Sequence, residues 1–153
     1  MMAGPSTIVA CDHCGKKNRV PAAASGVPHC ANCHEPLPWI ADAGDATWEE
    51  VVEQSKLRVL VDLWAPWCGP CRMVSPVLES LAHRYAGRVK LVKVNVDEAP
   101  GIAGRFSVQA IPTLLVTDHG NVLARQSGAA GEPALRAWLD QALAAPKRPG
   151  GSP

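Results

Sequence analysis

Six cysteines are the residues of this 153-residue chain best suited to chemistry, and all of them fall into Cys-x-x-Cys pairs. In chain order, the pairs are Cys11 with Cys14, Cys30 with Cys33, and Cys68 with Cys71. The N-terminus has no basic segment followed by an apolar one, so we expect no secretory signal and a reducing, cytoplasmic setting. In that setting, pairs of this spacing indicate metal binding or redox catalysis rather than structural disulfides.

The pair in Cys68-Gly69-Pro70-Cys71 lies where a strand-like run passes into a helical one. The backbone N–H groups and the positive end of a helix favour a thiolate at its start, so Cys68 is the candidate nucleophile. Cys71 follows one turn later and can attack a mixed disulfide formed on Cys68. The spacing alone would also suit a zinc site or two inert thiols. The surrounding residues are needed to distinguish these possibilities.

Those surrounding residues closely resemble the thioredoxins. Residues 61–71 read VDLWAPWCGPC, and Ile111-Pro112-Thr113 follows later in the chain. The resemblance extends over residues 39–145 and implies an α/β thioredoxin fold, a central mixed β-sheet flanked by helices. It also implies a protein-disulfide reductase whose partners are oxidised client proteins and an NADPH-dependent thioredoxin reductase.

The resemblance assigns roles to residues outside the pair. Asp62 matches the family's buried acid, which relays a proton for Cys71. Burial in an apolar strand should also raise the pKa of this carboxyl, although an Asp that simply bonds a neighbouring side chain is the alternative. Pro112 matches the family's cis-proline facing the cysteines. Trp67 directly precedes Cys68, whose thiol is expected to be exposed. A client backbone is expected to dock on a surface made of Trp67, Ala110, Ile111, Pro112, Gly128 and Ala129.

The spacer Gly69-Pro70 resembles that of the reducing members of the superfamily. Disulfide isomerases and oxidases usually carry a histidine at the second spacer position, and a more stable thiolate makes a stronger oxidant. With proline there, we expect a reductant. Lys93 matches a lysine near the buried acid, although a solvated surface lysine suits the sequence equally well.

The other two cysteine pairs follow the pattern C-x2-C-x15-C-x2-C, which is typical of zinc ribbons. Two structural disulfides, or free thiols that exchange with the catalytic pair, are the alternatives. Since four cysteines complete a tetrahedral site, we interpret His13, His29 and His34 as surface residues. Basic residues after the first pair are expected to offset the charge of the thiolates: Lys16, Lys17 and Arg19. The predicted cofactor is one structural Zn²⁺, held by Cys11, Cys14, Cys30 and Cys33.

A zinc module in front of this domain resembles thioredoxin 2, a zinc-binding bacterial subgroup of the family. The resemblance implies a structural metal. An alternative function is a zinc-dependent redox sensor or holdase, in which oxidation releases the metal and exposes a binding surface. A third is a client-specific adaptor role for the module.

The chain divides by composition into three parts. Residues 1–38 contain four of the six cysteines and no Phe, Trp or Tyr, so we expect this module to need disulfides, a metal or a partner to stay folded. Residues 39–145 are expected from the resemblance to form a thioredoxin domain, and residues 146–153 form a tail predicted to be disordered. The predicted strands of the domain are 39–41, 59–64, 89–96, 113–117 and 122–127. Four helices are predicted. The first opens with a capping box at 47–50, the second spans 72–85, the third is a short piece within 97–106, and the last begins at 133.

The charges are nearly balanced, with 15 Lys and Arg against 14 Asp and Glu. This balance excludes a protein that binds nucleic acid or a membrane surface through bulk charge. No apolar run approaches the roughly 18 residues of a membrane span. We therefore expect neither nucleic acid nor membrane as a partner.

Overall fold

Two short antiparallel strands open the part of the chain that the computed structural model describes, residues 5–146. β1 (Ser6–Ala10) pairs with β2 (Lys17–Pro21), and the turn between them carries the first cysteine pair. The second pair lies in a similar turn, closed by a bridge between His29 and Pro36. The predicted disordered tail, 146–153, lies outside the described residues from 147 onward.

A five-stranded mixed sheet forms the centre of the rest of the described chain. Its strands are β3 (Trp39–Asp42), β4 (Arg58–Trp64), β5 (Val89–Asn95), β6 (Thr113–Asp118) and β7 (Asn121–Ser127), arranged in the order β3-β5-β4-β6-β7. β3 and β4 run parallel to β5, whereas β6 is antiparallel to both β4 and β7. The predicted mixed sheet is therefore confirmed. So is the predicted hairpin, whose turn residues His119 and Gly120 both have positive φ, as tight hairpin turns require.

Helices cover the sheet on both faces. They are α1 (Gly69–Arg84), α2 (Pro100–Arg105) and α3 (Glu132–Leu143), and a π-helical turn spans Glu49–Glu53. The predicted capping box at 47–50 is wrong. The Thr47 hydroxyl instead accepts a hydrogen bond from the Gly44 backbone at 3.0 Å, which closes the preceding turn. None of the helices within residues 5–146 is long and apolar enough to cross a membrane.

Alternating side chains of the central strand pack on opposite faces of the sheet. Val59, Val61 and Leu63 join the cluster that includes Val51 and Ile102. Leu60 joins the opposite cluster, which includes α1 and α3 residues such as Leu78 and Leu139. This burial on both faces explains the nearly continuous apolar run of β4 and leaves Asp62 inside the protein.

A third apolar cluster surrounds two of the N-terminal cysteines. Val20 and Leu37 pack there with Cys11 and Cys30, and Trp39 of β3 completes the cluster. Trp39 is 1% exposed, and its indole N–H donates to the Pro21 carbonyl at 2.9 Å. The segment before residue 39 thus buries its few apolar side chains against the edge strand of the main sheet.

Candidate redox site and four-cysteine cluster

The third cysteine pair occupies the junction between β4 and α1. Cys68 is the N-cap of α1, and its sulfur accepts a hydrogen bond from the Cys71 backbone N–H at 3.1 Å. Pro70 lies in the first turn, where a missing N–H leaves no helical carbonyl unpaired. The helix therefore begins at Gly69, three residues before the predicted start, because the cysteine itself caps it.

Cys68 and Cys71 are joined by a disulfide, so the structure describes the oxidised pair. Cys68 is only 4% exposed and Cys71 3% exposed, which differs from the expected exposed thiol. The cover comes from the loop before β6, because Ile111 packs against the pair and its carbonyl lies 3.7 Å from the Cys68 sulfur.

Residues expected to bind clients surround this pair. The Ile111–Pro112 peptide bond is cis, as expected from the resemblance. The Pro112 carbonyl accepts a hydrogen bond from Gly128 at 2.8 Å, and Gly128 has a φ of 89°, which favours glycine. Trp67 is 68% exposed and is held by a 2.9 Å hydrogen bond from its indole N–H to Asp97. An exposed apolar ring therefore lies directly before the redox pair.

Asp62 lies behind the pair, inside the protein. It is 2% exposed, and its Oδ1 has no hydrogen-bond partner among residues 5–146. Burial raises the pKa of this carboxyl from 3.8 to about 6, as expected for a desolvated acid. A cavity of about 190 Å³ adjoins the carboxyl and the second cysteine, and its lining residues are Asp62, Trp64, Cys71, Arg72, Ser75 and Lys93.

Lys93 belongs to the same cavity, which resolves the two interpretations that the sequence left open. It lies opposite Asp62 in the parallel register of β4 and β5. Its ammonium group donates to Ser75 and to Glu79 of α1, both at 2.8 Å. Lys93 lowers the pKa of Asp62 and Glu79 raises it, so the two charges oppose each other and burial dominates.

The four N-terminal cysteines converge on one point. Their sulfur atoms all lie within 4.8 Å of one another. Cys11 and Cys33 are 3.5 Å apart, and Cys14 and Cys30 are 3.6 Å apart. Four sulfurs bound tetrahedrally at about 2.3 Å from Zn²⁺ would be about 3.8 Å apart. The geometry therefore fits a metal ion of this kind, whereas the two cysteines of each pair are not disulfide-bonded.

The two cysteine turns repeat the same backbone hydrogen bonds. In each, the first cysteine's sulfur accepts an N–H bond from the residue two positions on, His13 or Asn32, at 3.4 Å. The first cysteine's carbonyl accepts from the residue four positions on, Gly15 or His34, at 2.9 Å. Gly15 and His34 both have positive φ. Local sequence thus folds each pair into a turn that directs N–H groups at sulfur.

Two asparagines donate side-chain hydrogen bonds to the cysteine sulfurs, which the sequence analysis did not predict. Asn32 donates to the Cys14 sulfur at 3.4 Å, and buried Asn18 donates to the Cys30 sulfur at 3.6 Å. Asn18 also accepts from the Ala31 backbone at 2.9 Å, which links the two turns. The sequence signal that could have predicted these donors is an asparagine within a cysteine pair, as at Asn32, or shortly after one, as at Asn18.

The cluster favours some thiolates and opposes others. Backbone hydrogen bonding at Cys33, with further donors from Asn32 and Asn18, holds the pKa of Cys30 at about 6. At Cys33 a backbone donor favours the thiolate, but burial and the neighbouring thiols raise the pKa to about 12. Four thiolates at these distances therefore need a cation between them. His13, His29 and His34 are exposed and are not part of the cluster, which confirms the prediction that they are surface residues.

Comparisons with known proteins identify the family of this chain. The family model described as thioredoxin matches residues 39–141. Thioredoxin of Haemophilus influenzae is 47% identical over 97 residues, which cover 63% of this chain and 91% of that protein. Thioredoxin 1 of Synechococcus elongatus is 46% identical over 99 residues, which cover 65% of this chain and 92% of that protein.

One relative extends the similarity beyond this domain. Thioredoxin C-3 of Corynebacterium nephridii is 38% identical over 140 residues, which cover 89% of this chain and 95% of that protein. The residues from Trp39 onward make up about three quarters of the chain. A match of this length therefore includes part of the four-cysteine segment.

Proposed function

The chain belongs to the thioredoxin family and is a thiol–disulfide oxidoreductase, and from this premise we propose that it reduces disulfide bonds in other proteins. The observation that carries the proposal is the position of Cys68 as the N-cap of α1, with the Cys71 N–H directed at its sulfur. An N–H donor and the helix dipole both stabilise a thiolate there. Trp67 and Ile111 beside it offer an apolar surface for a client chain.

The reaction proceeds by two exchanges at the redox pair. The Cys68 thiolate attacks one sulfur of a client disulfide, forms a mixed disulfide and releases the first client thiolate. The Cys71 thiolate then attacks the Cys68 sulfur, forms the Cys68–Cys71 disulfide and releases the second client thiolate. Two electrons pass to the client. A thioredoxin reductase that draws electrons from NADPH is the proposed partner that reduces the pair again.

Asp62 is proposed to remove the proton from Cys71 before the second exchange. Its carboxyl and Cys71 line one cavity, which has room for water to carry the proton between them. A carboxyl whose pKa is about 6 is ionised in part near neutral pH and can accept and return a proton there. Pro112 and Gly128 are proposed to shape the client groove with Trp67 and Ile111.

The four N-terminal cysteines are proposed to hold one structural Zn²⁺, as in the zinc-binding thioredoxin 2 subgroup. When bound, the ion compensates the charge of the thiolates and cross-links the two turns that carry Cys11, Cys14, Cys30 and Cys33. Asn18 and Asn32 hold the thiolates in place by hydrogen bonds. We propose residues 1–38 as a zinc module, residues 39–145 as the catalytic domain, and the cytoplasm as the location.

The test is insulin reduction driven by dithiothreitol. Cys68→Ser is expected to abolish it, and Cys71→Ser is expected to accumulate a mixed disulfide with the client, seen as a mass increase that a reductant reverses. Asn121→Ala is the control, since it alters an exposed residue of the β6–β7 hairpin without touching the redox pair or the four-cysteine cluster. If Cys68→Ser kept its activity, the proposed function would be wrong.

Peroxide titration separates structural zinc from the sensor or holdase alternative. Zinc in solution is read with a chromogenic chelator while insulin reduction is measured on the same samples. Zinc that stays bound while the redox pair cycles supports a structural site. Release of one zinc per chain at mild peroxide, with a matching change in activity or client binding, would favour the sensor.

A further inference from the structure

A basic cavity lies at the opposite end of the sheet from the redox pair. It adjoins the start of β4 and the residues just before β5, whereas Cys68 follows the far end of β4. Seven residues of strand separate the two regions, about 23 Å. The cavity measures about 250 Å³, and its lining residues are Lys56, Leu57, Arg58, Gly87, Arg88 and Leu143. We refer to it as the basal cavity.

Arg58 is the buried cation of the basal cavity, and its guanidinium is only partly satisfied. The residue is 6% exposed. Its Nε donates to Asp118 at 3.3 Å, and its Nη1 donates to the carbonyls of Ala142 and Leu143 at 3.2 and 3.0 Å. Its Nη2 is buried and has no hydrogen-bond partner within residues 5–146. A buried donor without an acceptor is unfavourable, so a further negative charge close to Arg58 would be stabilising.

The charge around the basal cavity favours an anion as its ligand. Lys56 and Arg88 are exposed and add two cations to Arg58, and none of the six lining residues is acidic. Arg88 lies with its guanidinium carbon 5.1 Å from the centre of the Tyr85 ring. The carboxylate that contacts Arg58, Asp118, is bonded to its Nε and also lies 2.9 Å from the His119 ring nitrogen.

We propose that the basal cavity binds a small phosphate-class oxyanion, attracted by the positive charges of Arg58, Lys56 and Arg88. Guanidinium groups suit the tetrahedral oxygens of phosphate, and charge-assisted hydrogen bonds are the strong ones. The volume of the basal cavity lies below the range of about 300 to 1,000 Å³ that is typical of pockets for larger ligands. The anion is therefore free inorganic phosphate or the phosphoryl group of a small monoester.

The experiment titrates the full chain with inorganic phosphate at constant ionic strength, followed by calorimetry and by amide NMR shifts. A saturable one-to-one isotherm is expected, with the largest shifts at Leu57, Gly87 and Leu143. The double variant Lys56→Gln/Arg88→Gln should raise Kd by about tenfold or more. The matched control Lys17→Gln/Arg19→Gln removes the same charge from β2 and should leave Kd unchanged. A parallel titration with glycerol 3-phosphate shows which source of phosphate binds more tightly.

Thermal stabilisation is not used as the readout, because phosphate stabilises folded proteins generally by exclusion from their surfaces. Shifts that grow linearly without saturating, or that chloride reproduces, would overturn the proposal. Equal binding by the Lys56→Gln/Arg88→Gln variant would overturn it as well. Both rim side chains are exposed, so the double variant is expected to fold and to reduce insulin at the normal rate. Failure of phosphate binding would therefore leave the proposed disulfide reduction untouched.

Discussion

The carboxylate of Asp12 and the imidazole of His83 lie 2.8 Å apart, and they join the first cysteine turn to the last turn of α1. The same helix begins at the redox pair, 16 residues or about 24 Å away along its axis. One helix therefore carries the redox cysteines at its start and contacts the first cysteine turn, through Asp12, at its end. Both side chains are about half exposed, at 46% and 49%, so the pair is worth at most about 1 kcal/mol.

His83→Ala is expected to loosen the first cysteine turn without unfolding the domain. Losing at most about 1 kcal/mol should speed amide hydrogen exchange over residues 11–16 by up to about fivefold. Insulin reduction should stay unchanged. His119→Ala is the control, because that histidine pairs with Asp118 in the β6–β7 hairpin. Unaltered exchange over residues 11–16 would show that the contact does not anchor this turn.

Asp62→Asn is expected to stabilise the fold above about pH 6. Because burial raises the pKa of Asp62 from 3.8 to about 6, the folded chain keeps a proton that the unfolded chain releases between these values. The free energy of unfolding therefore falls as pH rises through this window, by about 3 kcal/mol in full. Urea unfolding should show the variant more stable by up to that amount at neutral pH and little changed near pH 4. An equal difference at both pH values would contradict the raised pKa.

The same substitution is expected to slow insulin reduction near neutral pH by about tenfold or more, because Cys71 loses the group that takes its proton. Above about pH 9 an ordinary thiol ionises without a base, so the two rates should converge. Stopped-flow rates for resolution of the mixed disulfide would measure this. Asp42→Asn is the control, because Asp42 is exposed on β3 and does not line the cavity. A rate ratio that does not vary with pH would argue against proton transfer by Asp62.

Features fixed by neighbouring residues were predictable from the sequence. The hairpin at His119 and Gly120 and the mixed sheet follow from short connections and apolar runs. The capping box at Thr47 failed because a threonine hydroxyl can close a turn as readily as it caps a helix.

Contacts between distant residues were not predictable, because no local pattern encodes them. Asp12 and His83 are 71 positions apart, and Asn18 donates a hydrogen bond to Cys30, which is 12 positions away. Lys93 was ambiguous for the same reason, since its partners Ser75 and Glu79 come from another element. The position of the Arg58 guanidinium likewise depends on carbonyls of α3 more than 80 positions away, which accept hydrogen bonds from its Nη1.

Trp67→Ala is expected to weaken client binding while leaving the chemistry intact. The ring is 68% exposed and lies outside the helix that positions the cysteines, so its loss removes apolar contact with the client. We expect KM for insulin to rise several-fold, with kcat changed by less than about twofold. Ile8→Ala is a matched control, because Ile8 is also an exposed apolar residue, at 56%, but lies on β1. A loss confined to kcat would mean that Trp67 acts on the redox pair itself.

Asn32→Ala is expected to weaken zinc binding by about tenfold or more, because it removes a hydrogen bond to the Cys14 sulfur while all four thiols remain. Asn32 is exposed, so its truncation leaves the apolar cluster around Cys11 and Cys30 intact. Competition with a chromogenic chelator measures the affinity, and Asn121→Ala in the hairpin turn is the control. Co²⁺ exchanged into both variants should give the absorption of a tetrahedral thiolate site. Equal affinity in Asn32→Ala and the control would mean that this side-chain donor does not stabilise the metal-bound thiolates.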